Sequence, residues 1–222
     1  MPMSSNSSGT PAASAVKSRF QLRSYAFIDR MQPQSAAHVA ATCQGDVPVA
    51  GMSELFIEVA PGNEIFRVMD IALKAADVRP ALQIVEREFG LLEIHARSQA
   101  EVLASGEAVL AHLGLTEKDR VKPEIASAQF VTNVSPYQAQ LLNKWRKGSL
   151  MMPGSSLFVL EVAPAAYATL AANEAEKAAN ITIVEVRAVG RYGRVFLSGS
   201  ESEVQTARDA AVFALEQIDG AS

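Results

Sequence analysis

The sequence predicts an α+β fold built twice in succession, and three observations carry that prediction. The segment LFIEVAPGNEIFRVMDIALKAADV from Leu55 returns from Phe158 as FVLEVAPAAYATLAANEAEKAANI, so Glu58 aligns with Glu161 and Lys74 with Lys177, both at an offset of 103 residues. A repeat of that length exceeds a solenoid unit of about 20–50 residues and marks a duplicated domain. Short β-branched and aromatic runs alternate with Ala-rich runs of helical period, the pattern of helices packed on a mostly antiparallel sheet. At 222 residues the chain also has room for two units of roughly 100 residues, each able to bury its own core. The boundaries read as a disordered N-terminal tail at 1–19, a first unit at 20–120 and a second at 121–222.

The first unit opens with LRSYAFID (22–29), a strand by its β-branched and aromatic content, followed by Pro33 and the helical stretch QSAAHVAAT. The second opens with SAQFVTNV (127–134), Pro136 and YQAQLLNKWRK. A loop ending in Gly51 or Gly154 leads each unit into a strand, LFIEV or SLFVLEV, whose faces alternate imperfectly. Pro61 and Pro164 close these strands and help start the helices that follow, because a first-turn proline forfeits no helical hydrogen bond. In the second of these helices Tyr167, Leu170, Ala171, Ala175 and Ala178 form one stripe of mostly small residues, suited to lying close on a sheet. Strands are expected at 82–87 and 91–96, then at 181–187 and 194–198.

The last helix of each unit begins Ser-x-x-Glu, Ser98 to Glu101 and Ser200 to Glu203, which predicts two capping boxes. Val102, Val109, Leu110 and Leu113 mark one buried face; Val204, Ala207, Ala211, Leu215 and Ile218 mark the other. The charged stretch GLTEKDRVKPEIA (114–126) reads as the linker. Each unit is thereby expected to run β-α-β-β-α-β-β-α.

Composition narrows the function. A net charge of −4 argues against a nucleic-acid binder, which would be basic. With Cys43 the single cysteine, no intrachain disulfide can form, and a reducing cytoplasm is the expected compartment. The N-terminus lacks the apolar core of a signal peptide, and no apolar run is long enough to span a membrane. His38, His95 and His112 are isolated, each expected at the surface or half-buried, so neither a zinc site nor a cofactor is expected. No nucleophile elbow, Walker loop or dinucleotide fingerprint occurs, and an enzyme is not the expected reading. Gly190-Arg191-Tyr192-Gly193 lies between two predicted strands, which makes it a hairpin turn rather than a phosphate loop. Glu86 and Glu88 would share a strand face if that strand continued past them.

The strand, Pro-led helix and Lys-Ala-Ala helix end found in both VAPGNEIFRVMDIALKAADV and EVAPAAYATLAANEAEKAANI resemble bacterial microcompartment shell domains. With LRSYAFIDRMQPQSAAHVAATCQG and VEREFG (85–90), residues 20–220 resemble the tandem-domain, circularly permuted carboxysome shell proteins. The resemblance implies a ferredoxin-like domain present twice. It also implies three chains forming a pseudohexagonal tile around a central pore, tiles stacked as a dimer of trimers, and single-domain hexameric shell proteins as neighbours. Glu86 and Arg87 would then gate the pore, three pairs around the threefold axis closing or separating. Val189 and Gly190 stand at the matching places of the second unit. Glu88 departs from the small neutral residue of the pattern and adds a carboxylate near the axis. The implied cargo is anionic, ribulose bisphosphate entering and phosphoglycerate leaving; Arg87 and Arg191 would favour its passage, while Glu86 and Glu88 oppose it. Lys74 and Lys177 would lie on the tile edge. Two other readings remain open at this point: a tile of a catabolic microcompartment, and a trimeric regulatory protein that binds a small ligand.

Overall fold

The computed structural model describes residues 20–221; the expected tail at 1–19 lies outside them. The first unit comprises β1 (Gln21–Ile28), α1 (Pro33–Thr42), β2 (Ser53–Ala60), α2 (Ile65–Ala75), β3 (Arg79–Glu86), β4 (Phe89–Ala96) and α3 (Gln99–Leu113). The second comprises β5 (Glu124–Val131), α4 (Pro136–Trp145), β6 (Ser156–Ala163), α5 (Tyr167–Ala178), β7 (Thr182–Arg187), β8 (Gly193–Gly199) and α6 (Glu201–Glu216). Each unit forms a four-stranded antiparallel sheet, ordered β1-β2-β4-β3 and β5-β6-β8-β7. The element order is therefore β-α-β-α-β-β-α, one strand shorter than expected. After β2 the chain passes through a cis Ala60–Pro61 bond into a short 3-10 turn, Gly62–Glu64, and then α2, which leaves no residues for another strand.

The imperfect alternation of β2 has a simple cause: both of its faces are covered. Leu55, Ile57 and Val59 pack with Leu92 and Ile94 against α2 and α3. Phe56 on the other face packs with Leu91 and with Val39 of α1. β3 begins three residues earlier than expected because it is an edge strand, where Pro80 forfeits no ladder bond and a register shift lies between Pro80 and Leu82. The loop after α1 protects that edge, with Gln44 and Gly45 N–H donating to Ala81 O and Asp46 N–H to Pro80 O. The loop after α4 does the same for β7 through Gly148 and Ser149. A Cβ at Gly45 or Gly148 would stand 2.3 Å from a strand carbonyl oxygen, so only glycine admits this approach.

The expected capping boxes do not close. Glu101 Oε2 accepts instead from Asp77 N–H at 2.9 Å, and Glu203 Oε2 from Asn180 N–H at 3.0 Å. Each carboxylate thus ties the start of its helix to the loop after the neighbouring one. Of these two serines Ser200 alone caps, accepting weakly from Glu203 N–H at 3.4 Å, whereas Ser98 makes no such bond. A reciprocal box forms instead between Thr116 and Asp119 in the linker.

One buried cluster distinguishes the units. Glu54, Glu93 and His95 are all within 1% of full burial, while the matching positions carry Leu157, Phe196 and Ser198. Glu93 accepts from Ala81 N–H at 2.8 Å and meets His95 Nδ1 at 3.0 Å. His38 is buried too, accepting from Val186 N–H at 3.0 Å, so two of three histidines are more enclosed than expected. Burial raises the Glu54 and Glu93 carboxyls above the ordinary range, and Glu93 pushes Glu54 further. Between the unfolded and the raised folded pKa the native chain holds more protons, so this stabilisation is complete below the ordinary carboxylate pKa and is lost as pH rises. Glu54→Leu, copying the second unit, is expected to gain about 1–4 kcal/mol, most at alkaline pH, and to flatten the fall of stability with pH in urea unfolding. An unchanged pH slope would count against this account.

Candidate functional site

The turn joining β3 to β4 is two residues long, Arg87 and Glu88, and Arg87 has a left-handed backbone with φ of 52°. Its counterpart in the second unit is Gly190, with φ of 98°. The same bend is therefore made by glycine in one unit and by arginine in the other, where it costs of order 1–3 kcal/mol. β3 ends at Glu86, so Glu86 and Glu88 do not share a strand face. The glycines between β7 and β8 lie in a hairpin connection, as expected. At the start of each second strand, Gly90 and Gly193 allow a helix-leading segment to approach; a Cβ there would meet Gly62 O or Ala165 O at little more than 2 Å.

The loops of both units meet at one cleft of about 490 Å³. Glu86, Arg87 and Glu88 line it together with Gly190, Arg191 and Tyr192. A second cleft of about 390 Å³, lined by Pro61, Gly62 and Val85, lies on the other side of the Arg87-Glu88 turn. The first cleft carries three arginines, Arg23, Arg87 and Arg191, against three carboxylates, Glu86, Glu88 and Glu124. Glu86, Arg87, Glu88 and Arg191 are exposed, and among the described residues none forms an ion pair within the chain.

Arg23 was not singled out in the sequence, yet it organises the cleft wall. Its guanidinium lies 3.6 Å from the centroid of the Phe89 ring and donates to Glu58 Oε1 at 2.6 Å. Glu58 Oε2 accepts from Ala166 N–H at 3.0 Å, at the start of α5 in the other unit. Burial raises the Glu58 carboxyl more than Arg23 lowers it. In the second unit Glu161 pairs with Arg194, from a different strand. Sequence signals for Arg23 were absent because its partners lie 35 and more residues away.

Lys74 and Lys177 stand apart from the cleft at the opposite ends of α2 and α5. Lys74 pairs with Asp70 at 2.8 Å and Lys177 with Glu174 at 3.6 Å; both lysines are more than half exposed. Among the described residues no group of His, Cys, Asp and Glu is arranged to hold a metal ion. No helix among them is long and apolar enough to cross a membrane.

The seam between the units is polar. Gln32 N–H donates to Asn173 Oδ1 at 2.8 Å, and Gln34 and Ser35 N–H donate to the Glu176 carboxylate at 2.7 and 2.8 Å. The Gln34 side chain bridges Ile181 O and Ile183 N–H. This wedging buries Ala168, Thr169, Ala172 and Asn173 as well as the expected Tyr167, Ala171 and Ala175, while Ala178 stays exposed. The counterparts of these seam positions, on α4 of the second unit and α2 of the first, are uncovered, and four of them are apolar. Tyr137 and Leu141 replace Gln34 and His38, and Phe66 and Leu73 replace Thr169 and Glu176, with exposures of 81%, 63%, 59% and 38%.

Residues 22–119 match the CsoS1D N-terminal domain, and residues 156–221 match the BMC domain. The chain is 51% identical over 200 residues to the carboxysome shell protein CcmP of Synechococcus elongatus, covering 90% of this chain and 94% of that one. It is 46% identical to the carboxysome shell protein CsoS1D of Hydrogenovibrio crunogenus, covering 89% and 97%. Among solved structures it is similar to the fused permuted hexameric shell protein MSM0275 of the RMM microcompartment, with a TM-score of 0.88, 46% identity and coverage of 91% and 100%. The double ringed trimeric shell protein MSM0271 of the same microcompartment gives a TM-score of 0.88 at 40% identity, covering 91% and 99%. With the duplicated, permuted domain present along the whole described chain and half of its residues shared with a carboxysome relative, this protein belongs to the tandem-domain carboxysome shell proteins, a structural family rather than an enzyme family.

Proposed function

We propose that three copies of this chain close head to tail into a pseudohexagonal tile of the carboxysome shell, that tiles stack in pairs, and that the Arg87 turn gates a pore on the threefold axis. The observation that carries the reading is the seam. A surface that is satisfied within the chain has exposed counterparts on α4 and on α2 that carry Tyr137, Leu141, Phe66 and Leu73, which suits a ring of alternating intrachain and interchain seams. The stacked arrangement draws on the double ringed relative.

In such a ring three copies of Glu86 and Arg87 face one another, free of competing intrachain pairs among the described residues. Exposed ion pairs contribute about 0–1 kcal/mol each, so paired and separated arrangements of three such pairs lie within about 3 kcal/mol of each other. The cleft's matched arginines and carboxylates suit an anion that must pass without being retained, such as ribulose bisphosphate or phosphoglycerate. Lys74 and Lys177, on the outer rim, meet neighbouring tiles, including single-domain hexamers.

Electron microscopy of assembled protein tests both roles. Glu86→Ala with Arg87→Ala is expected to leave the ring intact and collapse two pore states into one; two surviving states would remove this pair from the gate. In the same series, Lys74→Asp with Lys177→Asp is expected to abolish two-dimensional arrays while sparing the ring, and unchanged arrays would count against an edge role.

A further inference from the structure

The loops after α1 and α4 leave matching pairs of apolar side chains uncovered. Val47 and Val49 are 56% and 43% exposed, and Leu150 and Met152, at the equivalent positions, are 55% and 60% exposed. The residue between them points inward in each case: Pro48 is buried and Met151 is 0% exposed. These ridges are held firmly. Asn143 bonds both the N–H and the carbonyl of Met151 at 2.9 Å, and the glycine-led segments before the ridges bond to the edge strands β3 and β7. Exposed apolar groups held rigidly at both copies of one position mark a docking surface rather than scattered surface residues.

The seams do not use them, since those are built from α1 and α4 against α5 and α2. The ridges instead follow α1 and α4 in the chain; α1 packs on the sheet face opposite the one that α2 and α3 cover. In a three-chain ring the threefold axis sets the three copies of each ridge at one height, and the pseudo-sixfold relation of the two units sets both kinds of ridge at matching height and radius. Their flanking charges differ in sign. Asp46 adjoins Val47 in the first unit, whereas Arg146 and Lys147 precede Leu150 in the second. Two rings placed face to face are related by twofold axes, and axes running between adjacent units set each first-unit ridge against a second-unit ridge.

We infer, resting on the reading that rings stack in pairs, that the Val47–Val49 ridge of one ring docks on the Leu150–Met152 ridge of a second ring of the same chain, with Asp46 facing Lys147 across the contact. Apolar contact gives the affinity, and the opposed charges select this register over one that sets like ridges together.

Light scattering after size exclusion, with native mass spectrometry, tests it on the full chain. The wild type is expected at six chains. Val49→Asp with Met152→Asp is expected at three, with ring-to-ring affinity lowered about a hundredfold or more. Asp46→Lys is expected to weaken stacking about tenfold, and Asp46→Lys with Lys147→Asp to restore it. A wild type of three chains would overturn the stacking reading itself. Six chains in the Val49→Asp, Met152→Asp variant would overturn the docking surface alone, whether or not lateral arrays were lost, and a fall to single chains would assign the ridges to the seam instead.

Discussion

Leu141→Asp combined with Leu73→Asp is expected to convert the ring into single chains that keep their secondary structure. Both residues are exposed in the isolated chain, so neither substitution disturbs a core. In the ring they stand where His38 and Glu176 stand in the intrachain seam, and burying a leucine contributes roughly 1.5–3 kcal/mol. Losing two per seam, and burying two carboxylates of like charge, weakens each seam by at least about a hundredfold. Native mass spectrometry reads the result directly. Phe213→Asp is the control, because Phe213 is 62% exposed on α6, which supplies none of the hydrogen bonds across the seam, and should leave the ring whole. A ring that survives the double substitution would remove the seam on which the tile reading rests.

Glu58→Ala is expected to cost about 3–5 kcal/mol of stability, as breaking a buried ion pair does when one charge is left behind. Arg23, its partner, is only 14% exposed, and Ala166 N–H at the start of α5 would lose its acceptor. Glu58→Gln keeps the volume and one acceptor oxygen and should cost less. Urea unfolding separates the two variants; equal losses would mean that shape and not hydrogen bonding governs the site. Because Arg23 also covers Phe89, directly after the Arg87-Glu88 turn, Glu58→Ala should loosen the cleft wall and not only the seam.

Much of the fold was legible because it was written twice. The offset of 103 residues paired Pro61 with Pro164, Gly51 with Gly154 and Lys74 with Lys177, and each pair occupies equivalent places in the structure. The same offset set Glu86-Arg87 against Val189-Gly190, and the shared left-handed backbone at Arg87 and Gly190 gives that mismatch a physical meaning. The capping boxes misled, because Ser-x-x-Glu describes only local partners. Glu101 and Glu203 found better-placed donors in loops some 23 or 24 residues away.

The amino-acid sequence by itself determined the duplicated unit, its helices, the four strands that each copy forms and the two turns that diverged, since these follow from local propensity and period, while the fifth strand expected in each copy has no counterpart in the structure. The tertiary structure alone decided which surfaces are satisfied and which are left open. Arg23 reached Glu58, Glu58 reached the start of α5, and Gln34 reached Glu176 only because two sheets and their helices were brought face to face. A hydrogen bond between residues more than a hundred positions apart leaves no periodic trace in the chain, and neither does an apolar residue that remains exposed because its partner lies on another molecule.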